Sequence, residues 1–156
     1  MNDDSVTIAY PEAEFALFNT SREDFPAAVV VNAALRHFPR RDIFPWHLSV
    51  LIFPTALAGQ GMPTHAESAI LDAVGDEIEH CILEHHNGLF LARETWNGRR
   101  QLLYRVHDPE RANTDLQALT AEAVAKREWK FRMEHDASWS FAEPYLMLFE
   151  SAPRKA

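Results

Sequence analysis

The chain contains a single cysteine, Cys81, among 156 residues. An internal disulfide is thereby excluded, and a reducing compartment such as the cytoplasm is expected. No apolar run approaches the roughly 20 residues that a membrane-spanning helix needs. The opening residues, Met1-Asn2-Asp3-Asp4, offer neither a basic flank nor an apolar stretch, so no secretory signal is expected. Positive charge is scarce as well. Fifteen Lys and Arg stand against 23 Asp and Glu, a formal net charge of −8. A general nucleic-acid binder neutralises phosphates with cations, and this balance disfavours one. Acidity of this kind keeps a protein soluble and speeds its encounter with a basic protein partner. Catalytic signatures are missing too: there is no G-x-S-x-G, H-E-x-x-H, G-x-G-x-x-G or phosphate-binding loop.

What is present is strong periodicity. Glu14–Thr20 and the Val29-Val30-Val31 run within Pro26–Leu35 predict an N-terminal hairpin around a polar turn at residues 21–24. In Trp46–Phe53, Trp46, Leu48, Val50 and Ile52 share one face, and His47, Ser49, Leu51 and Phe53 share the other. A helix then starts at Pro63 or Thr64, with Glu67 at capping-box spacing, and ends at Asn87-Gly88. Its apolar stripe reads Ala66, Ile70, Val74, Ile78, Cys81, Ile82 and His85. Glu67, Asp72, Asp76, Glu79 and Glu84 fall on the wet side.

Leu89–Trp96 and Arg99–His107 flank Asn97-Gly98, the strongest short hairpin signal available. Counting back from the turn puts Arg93 opposite Leu102 and Thr95 opposite Arg100, with Leu89, Leu91, Arg93 and Thr95 on one face and Phe90, Ala92, Glu94 and Trp96 on the other. A second helix follows Asp108-Pro109 with Ala112, Leu116, Leu119 and Ala123 on its stripe; Thr114 is a rival start. In Arg127–Glu134, Trp129, Phe131 and Met133 alternate with charged residues, which predicts a half-buried last strand. Residues 46–134 therefore read β-α-β-β-α-β, a ferredoxin-like α+β sandwich with strand order 4-1-3-2. One domain over residues 1–156 is expected. It comprises this core, an N-terminal β-hairpin extension (14–35) and a C-terminal capping segment (137–149).

Several side chains invite chemistry. Cys81 and His85 lie four apart on the first helix, a workable zinc pair, but no complete ligand set accompanies them, so no metal or other cofactor is expected. Cys81 on the apolar stripe reads as a packed thiol rather than a nucleophile. Glu134, His135 and Asp136 near Trp139 are either an acid–base corner or a turn capped by Asp136. Arg93 and Arg100 beside Thr95 have the forked donors to bind a carboxylate or phosphate. Asp72, Asp76 and Glu79 on the first helix form the surface that would meet a basic partner. Direct RNA binding is disfavoured, because none of His47, Ser49, Leu51, Gln101, Leu103 and Arg105, expected on the open face of the central strands, is Phe, Tyr or Trp, and the RNP pattern is absent. No membrane partner is expected, and a monomer or an edge-paired homodimer is left open.

The order of these marks resembles a known family. Trp46-x-Leu48-x-Val50 is followed by Gly61-Met62-Pro63 before a helix. Arg93-x-Thr95-x-x-Gly98-x-Arg100, Tyr104, Asp136-x-x-Trp139 and Tyr145 complete the series. Over roughly residues 12–150 this is similar to the bacterial domain of unknown function 695 family. That family looks related in fold to the regulator of ribonuclease activity B, a ferredoxin-like protein that binds and inhibits ribonuclease E. The resemblance implies a cytoplasmic, non-enzymatic, regulatory binding role and brings no catalytic residues with it.

Overall fold

A computed structural model describes residues 10–122 and 126–151. Strands β1 (Phe15–Arg22), β2 (Phe25–Asn32), β3 (Trp46–Ile52), β4 (Gly88–Trp96), β5 (Arg99–Val106) and β6 (Trp129–His135) form one sheet. Their order is β1-β2-β4-β5-β3-β6, and every neighbouring pair is antiparallel. Helices α1 (His65–Leu83) and α2 (Pro109–Ala121) are followed late in the chain by two single turns, α3 (Glu143–Leu146) and α4 (Leu148–Ser151). The class is α+β.

Local chemistry accounts for the element ends. Asn97 and Gly98 take φ of 46° and 73°, the two positive values of a type I′ turn. The register that follows sets Arg93 opposite Leu102 and Thr95 opposite Arg100. Glu23 and Asp24 turn β1 into β2 with φ of 50° and 67°. The Thr64 hydroxyl accepts from the Glu67 N–H at the start of α1. Asp108 accepts from the N–H groups of Glu110 and Arg111 at the start of α2, with Pro109 in the first turn. Gly61 has φ of 76°, and its carbonyl accepts from the Gly98 N–H at 2.7 Å. A Cβ there would stand 2.8 Å from the Asn97 Cα, so only glycine lets this loop dock on the hairpin turn.

Two apolar cores lie on opposite faces of the sheet. On one, Leu48, Val50, Ile52, Leu102 and Val106 meet Leu71, Val74, Ile78 and Ile82 of α1 and Leu116 of α2. Trp129, Phe131 and Met133 pack partly buried against this core. On the other, Val29, Val31, Leu91 and Leu103 are covered by Phe38 and Phe44 and by Trp139, Ala142 and Leu146 of the final segment. Trp139 is fully buried although its φ is 60°. Its indole N–H is shared by the carbonyls of Arg41 and Phe44.

Four details depart from the sequence expectation. The face opposite the helices is covered, so Arg105 lies at 0% exposure rather than on an open surface. The N-terminal hairpin forms as an extension, and β2 pairs with β4 to lengthen the sheet sideways. A β-bulge between Phe90 and Ala92 reverses the pleat, so Leu89 and Leu91 join the second core and Phe90 faces the helices. Helix α1 stops at Leu83, and its buried stripe is Glu67, Leu71, Val74, Ile78 and Ile82; Ala66 and His85 are exposed. Asn87 does not simply end the helix. Its amide exchanges two hydrogen bonds with the backbone of Asp108, tying β4 to the start of α2. Ala123 lies outside the described residues.

Candidate functional site

The two groups of residues expected to form separate sites lie in one groove. It holds about 530 Å³ between α1 and the β1–β2 hairpin. Leu71, Asp72, Gly75, Asp76 and Glu79 of α1 form one wall, and Phe15, Ala16 and Leu17 of β1 form the other. The floor is Val30, Phe90, Arg93, Arg100, Leu102 and Tyr104. Alternation on β4 and β5 puts Arg93, Arg100, Leu102 and Tyr104 under α1, whose 3.6-residue period turns Asp72, Asp76 and Glu79 to the same side.

Inside the groove the arginines already have a counter-ion. Arg100, 5% exposed, donates to Asp72 at 2.5 Å and to the Thr95 hydroxyl at 3.2 Å. Arg93 approaches the same Asp72 oxygen at 3.5 Å. Burial and the charge of Arg93 lower the Arg100 pKa, and Asp72 opposes them. Thr95 is buried beneath the pair. The Tyr104 hydroxyl donates to Glu79 at 3.1 Å. Burial raises the Glu79 pKa, the Tyr104 bond works against this, and the Asp76 charge adds to it. Asp76 is exposed at the rim. Three carboxylates thus outnumber two guanidiniums, so the groove is acidic above a floor in which Val30, Phe90 and Leu102 surround the two arginines. Its outer lip is apolar: Phe15 and Leu17 are 68% and 61% exposed. The period-two pattern of Phe15 and Leu17 was the available sequence signal for this lip.

A second polar cluster closes the opposite face. Arg105 donates to the Asp136 carboxylate at 2.9 Å, to the Asp136 carbonyl at 2.6 Å and to the Phe44 carbonyl at 3.2 Å and 3.3 Å. Its guanidinium lies 4.6 Å from the centre of the Trp139 ring, and that of Arg41 lies 4.8 Å away. Asp136 also accepts from the Ser140 N–H and hydroxyl and from the Phe141 N–H. Burial opposes the ionised carboxylate, but these hydrogen bonds outweigh it and hold Asp136 well below the usual carboxylate range. Asp136 therefore caps the turn and anchors the tail, whereas Glu134 and His135 lie at the end of β6. His47 beneath this segment stacks on Phe141 at 5.0 Å, and its Nδ1 is buried without a hydrogen-bond partner. Burial, then the Arg105 charge, lowers its pKa to about 4.

Glu67 is the other buried acid that sequence reasoning put in water. Arg127 donates to both its carboxylate oxygens at 2.6 Å, and the Thr55 N–H donates at 2.9 Å. The Arg127 bond is the main reason its pKa falls to about 2, with burial pulling the other way. Cys81 is half-buried, and burial raises its thiol pKa, the opposite of an activated nucleophile. Among the described residues no group of three or more His, Cys, Asp and Glu is placed to hold a metal ion. Also among them, no helix is long and apolar enough to cross a membrane.

The protein is thus an α+β protein with one six-stranded antiparallel sheet, helices over one face, a tail locked over the other and a charged groove beside its first helix. A family model described as Family of unknown function (DUF695) matches residues 14–147, and the chain belongs to that family. No curated protein and no solved structure matches it.

Proposed function

We propose that this protein is a non-enzymatic binding or regulatory module that acts through protein–protein contact, with the groove between α1 and β1 as its partner surface. The observation that carries this is the pairing of an acidic wall, Asp72, Asp76 and Glu79, with the exposed apolar residues Phe15 and Leu17. Apolar area supplies affinity, and charge of one sign selects a basic partner. The strand sequence β4-β5-β3-β6 around α1 and α2 supports a ferredoxin-like core, to which the β1–β2 hairpin is added. Lone Cys81 suits a cytoplasmic protein.

Support is weaker for an anionic ligand at Arg93, Thr95 and Arg100. Asp72 already pairs with one nitrogen of each guanidinium, so an added anion would compete with a carboxylate on the same chain. Affinity capture with immobilised wild type, Leu17→Asp and Asp76→Lys tests the binding reading. Both positions are exposed, so both variants should fold. Proteins retained by the wild type and lost by both variants are expected. Retention of the same proteins by all three would move the partner surface elsewhere.

A further inference from the structure

Taking the groove as the partner surface, as proposed above, we infer that its occupant is an amphipathic helix with a basic flank, lying beside α1 on the bare face of the β1–β2 hairpin. Helix α1 rests on β4 and β5 and packs against α2. Among the described residues, the single turn Gly59–Gly61 packs against β2, but neither α1 nor α2 packs closely on β1 or β2. The alternation in β2 records this asymmetry. Ala27, Val29 and Val31 are buried by the tail side, whereas Ala28 and Val30 on the helix side stay partly exposed.

The bare strip has the width of one helix. Neighbouring strands are about 4.8 Å apart and packed helices about 8–10 Å apart, so two strands provide a seat for one helix next to α1. A helix in that seat would cover Phe15, Leu17 and Val30 with its apolar stripe. Lysines or arginines one turn apart on its flank would face Asp76 and Glu79, which stand at nearly one-turn spacing on α1. An added β-strand would meet only the outer edge of β1, beyond the apolar lip and away from the acids. The chain's own leading residues, Met1–Ala9, carry Asp3 and Asp4 and no lysine or arginine, the wrong charge for this wall.

Fluorescence anisotropy with labelled peptides of about 15 residues, four helical turns, tests this on the full chain. The probes are a stapled Leu/Lys peptide with helical periodicity, a Leu/Lys peptide of equal composition with strict alternation, and a stapled Leu/Glu peptide. The helical Leu/Lys probe should bind about tenfold tighter than either other probe. Its affinity should fall about tenfold in Leu17→Asp and several-fold in Asp76→Lys. Tighter binding of the alternating peptide would overturn the helix and leave the groove as the partner surface. Binding of the helical probe unchanged in both variants, or of no probe, would overturn the helix and the groove together. A wild type that sediments as a dimer while Leu17→Asp is a monomer would assign the strip to a second copy of this chain instead.

Discussion

Arg105 and Asp136 bond twice: one guanidinium nitrogen reaches the carboxylate at 2.9 Å and another reaches the same residue's carbonyl at 2.6 Å. Both residues are buried, at 0% and 6% exposure. Removing one member of a buried pair strands the other, at a cost of about 3–5 kcal/mol. The two removals are not equivalent. Without Arg105, the carboxylate keeps its donors from Ser140 and Phe141. Without the Asp136 side chain, the buried cation keeps only carbonyls, and the tail loses its cap. Urea unfolding should therefore rank Asp136→Ala as more damaging than Arg105→Met. The reverse order would mean that the tail does not depend on Asp136.

Acid should destabilise the fold in two stages. His47 has its pKa lowered to about 4, so between the ordinary histidine value near 6.5 and about 4 the unfolded chain binds more protons than the folded one. Stability is then full above that window and falls as pH drops through it, by up to about 3 kcal/mol. His47→Phe, which keeps a ring against Phe141, should flatten this first stage in thermal melts taken across pH. The second stage lies below about 4, where the depressed carboxylates Glu67 and Asp136 are forced to protonate. An unchanged first stage in His47→Phe would rule out His47 as its source.

Asp72 acts as an internal competitor for anions. Asp72→Asn should leave Arg93 and Arg100 without their shared carboxylate and open a phosphate site beside Thr95. Phosphate at millimolar concentration should raise the melting temperature of Asp72→Asn selectively over the wild type. Equal responses would show that Asp72 does not guard the arginines.

Gly75 stands in the middle of α1 and lines the groove. A Cβ there would meet the Leu102 side chain at 3.5 Å, an ordinary contact. Gly75→Ala should stabilise the protein by up to about 1 kcal/mol, the usual helix-interior difference, and make the groove shallower. Higher stability with weaker partner binding, measured by melting and by anisotropy with the helical Leu/Lys peptide, is the expected combination.

The parts legible in the sequence are those fixed by neighbours. Asn97-Gly98 set a register because a two-residue turn leaves little freedom, and Asp108-Pro109 started α2 through bonds within three residues. Glu67 and Arg105 were misplaced for one shared reason. Each is a charged residue whose burial depends on a partner far along the chain, 60 residues away for Arg127 and 31 for Asp136. Periodicity assigns a charge to water unless the partner is visible, and these partners appear only once the sheet has assembled. The bulge at Leu91 was hidden differently, since a run of apolar residues fits either face of a strand that is buried on both sides. Asp72 and Arg100 were both picked out, yet as separate sites, because no local pattern links a helix residue to a strand 28 positions later.

Trp139 combines two demands that pull in opposite directions. Its backbone sits at φ of 60°, where glycine is at ease and an L side chain is strained, while its ring fills a fully buried space between two guanidiniums. Glycine there would relax the backbone and empty the space. Phenylalanine or leucine would keep the strain and lose the N–H that the Arg41 and Phe44 carbonyls share. Trp139→Gly, Trp139→Phe and Trp139→Leu should therefore each lower stability in urea unfolding. Tolerated change in this protein should therefore gather at the exposed lip of β1 and the rim of α1, where a partner sets the rules, and leave the tail lock alone.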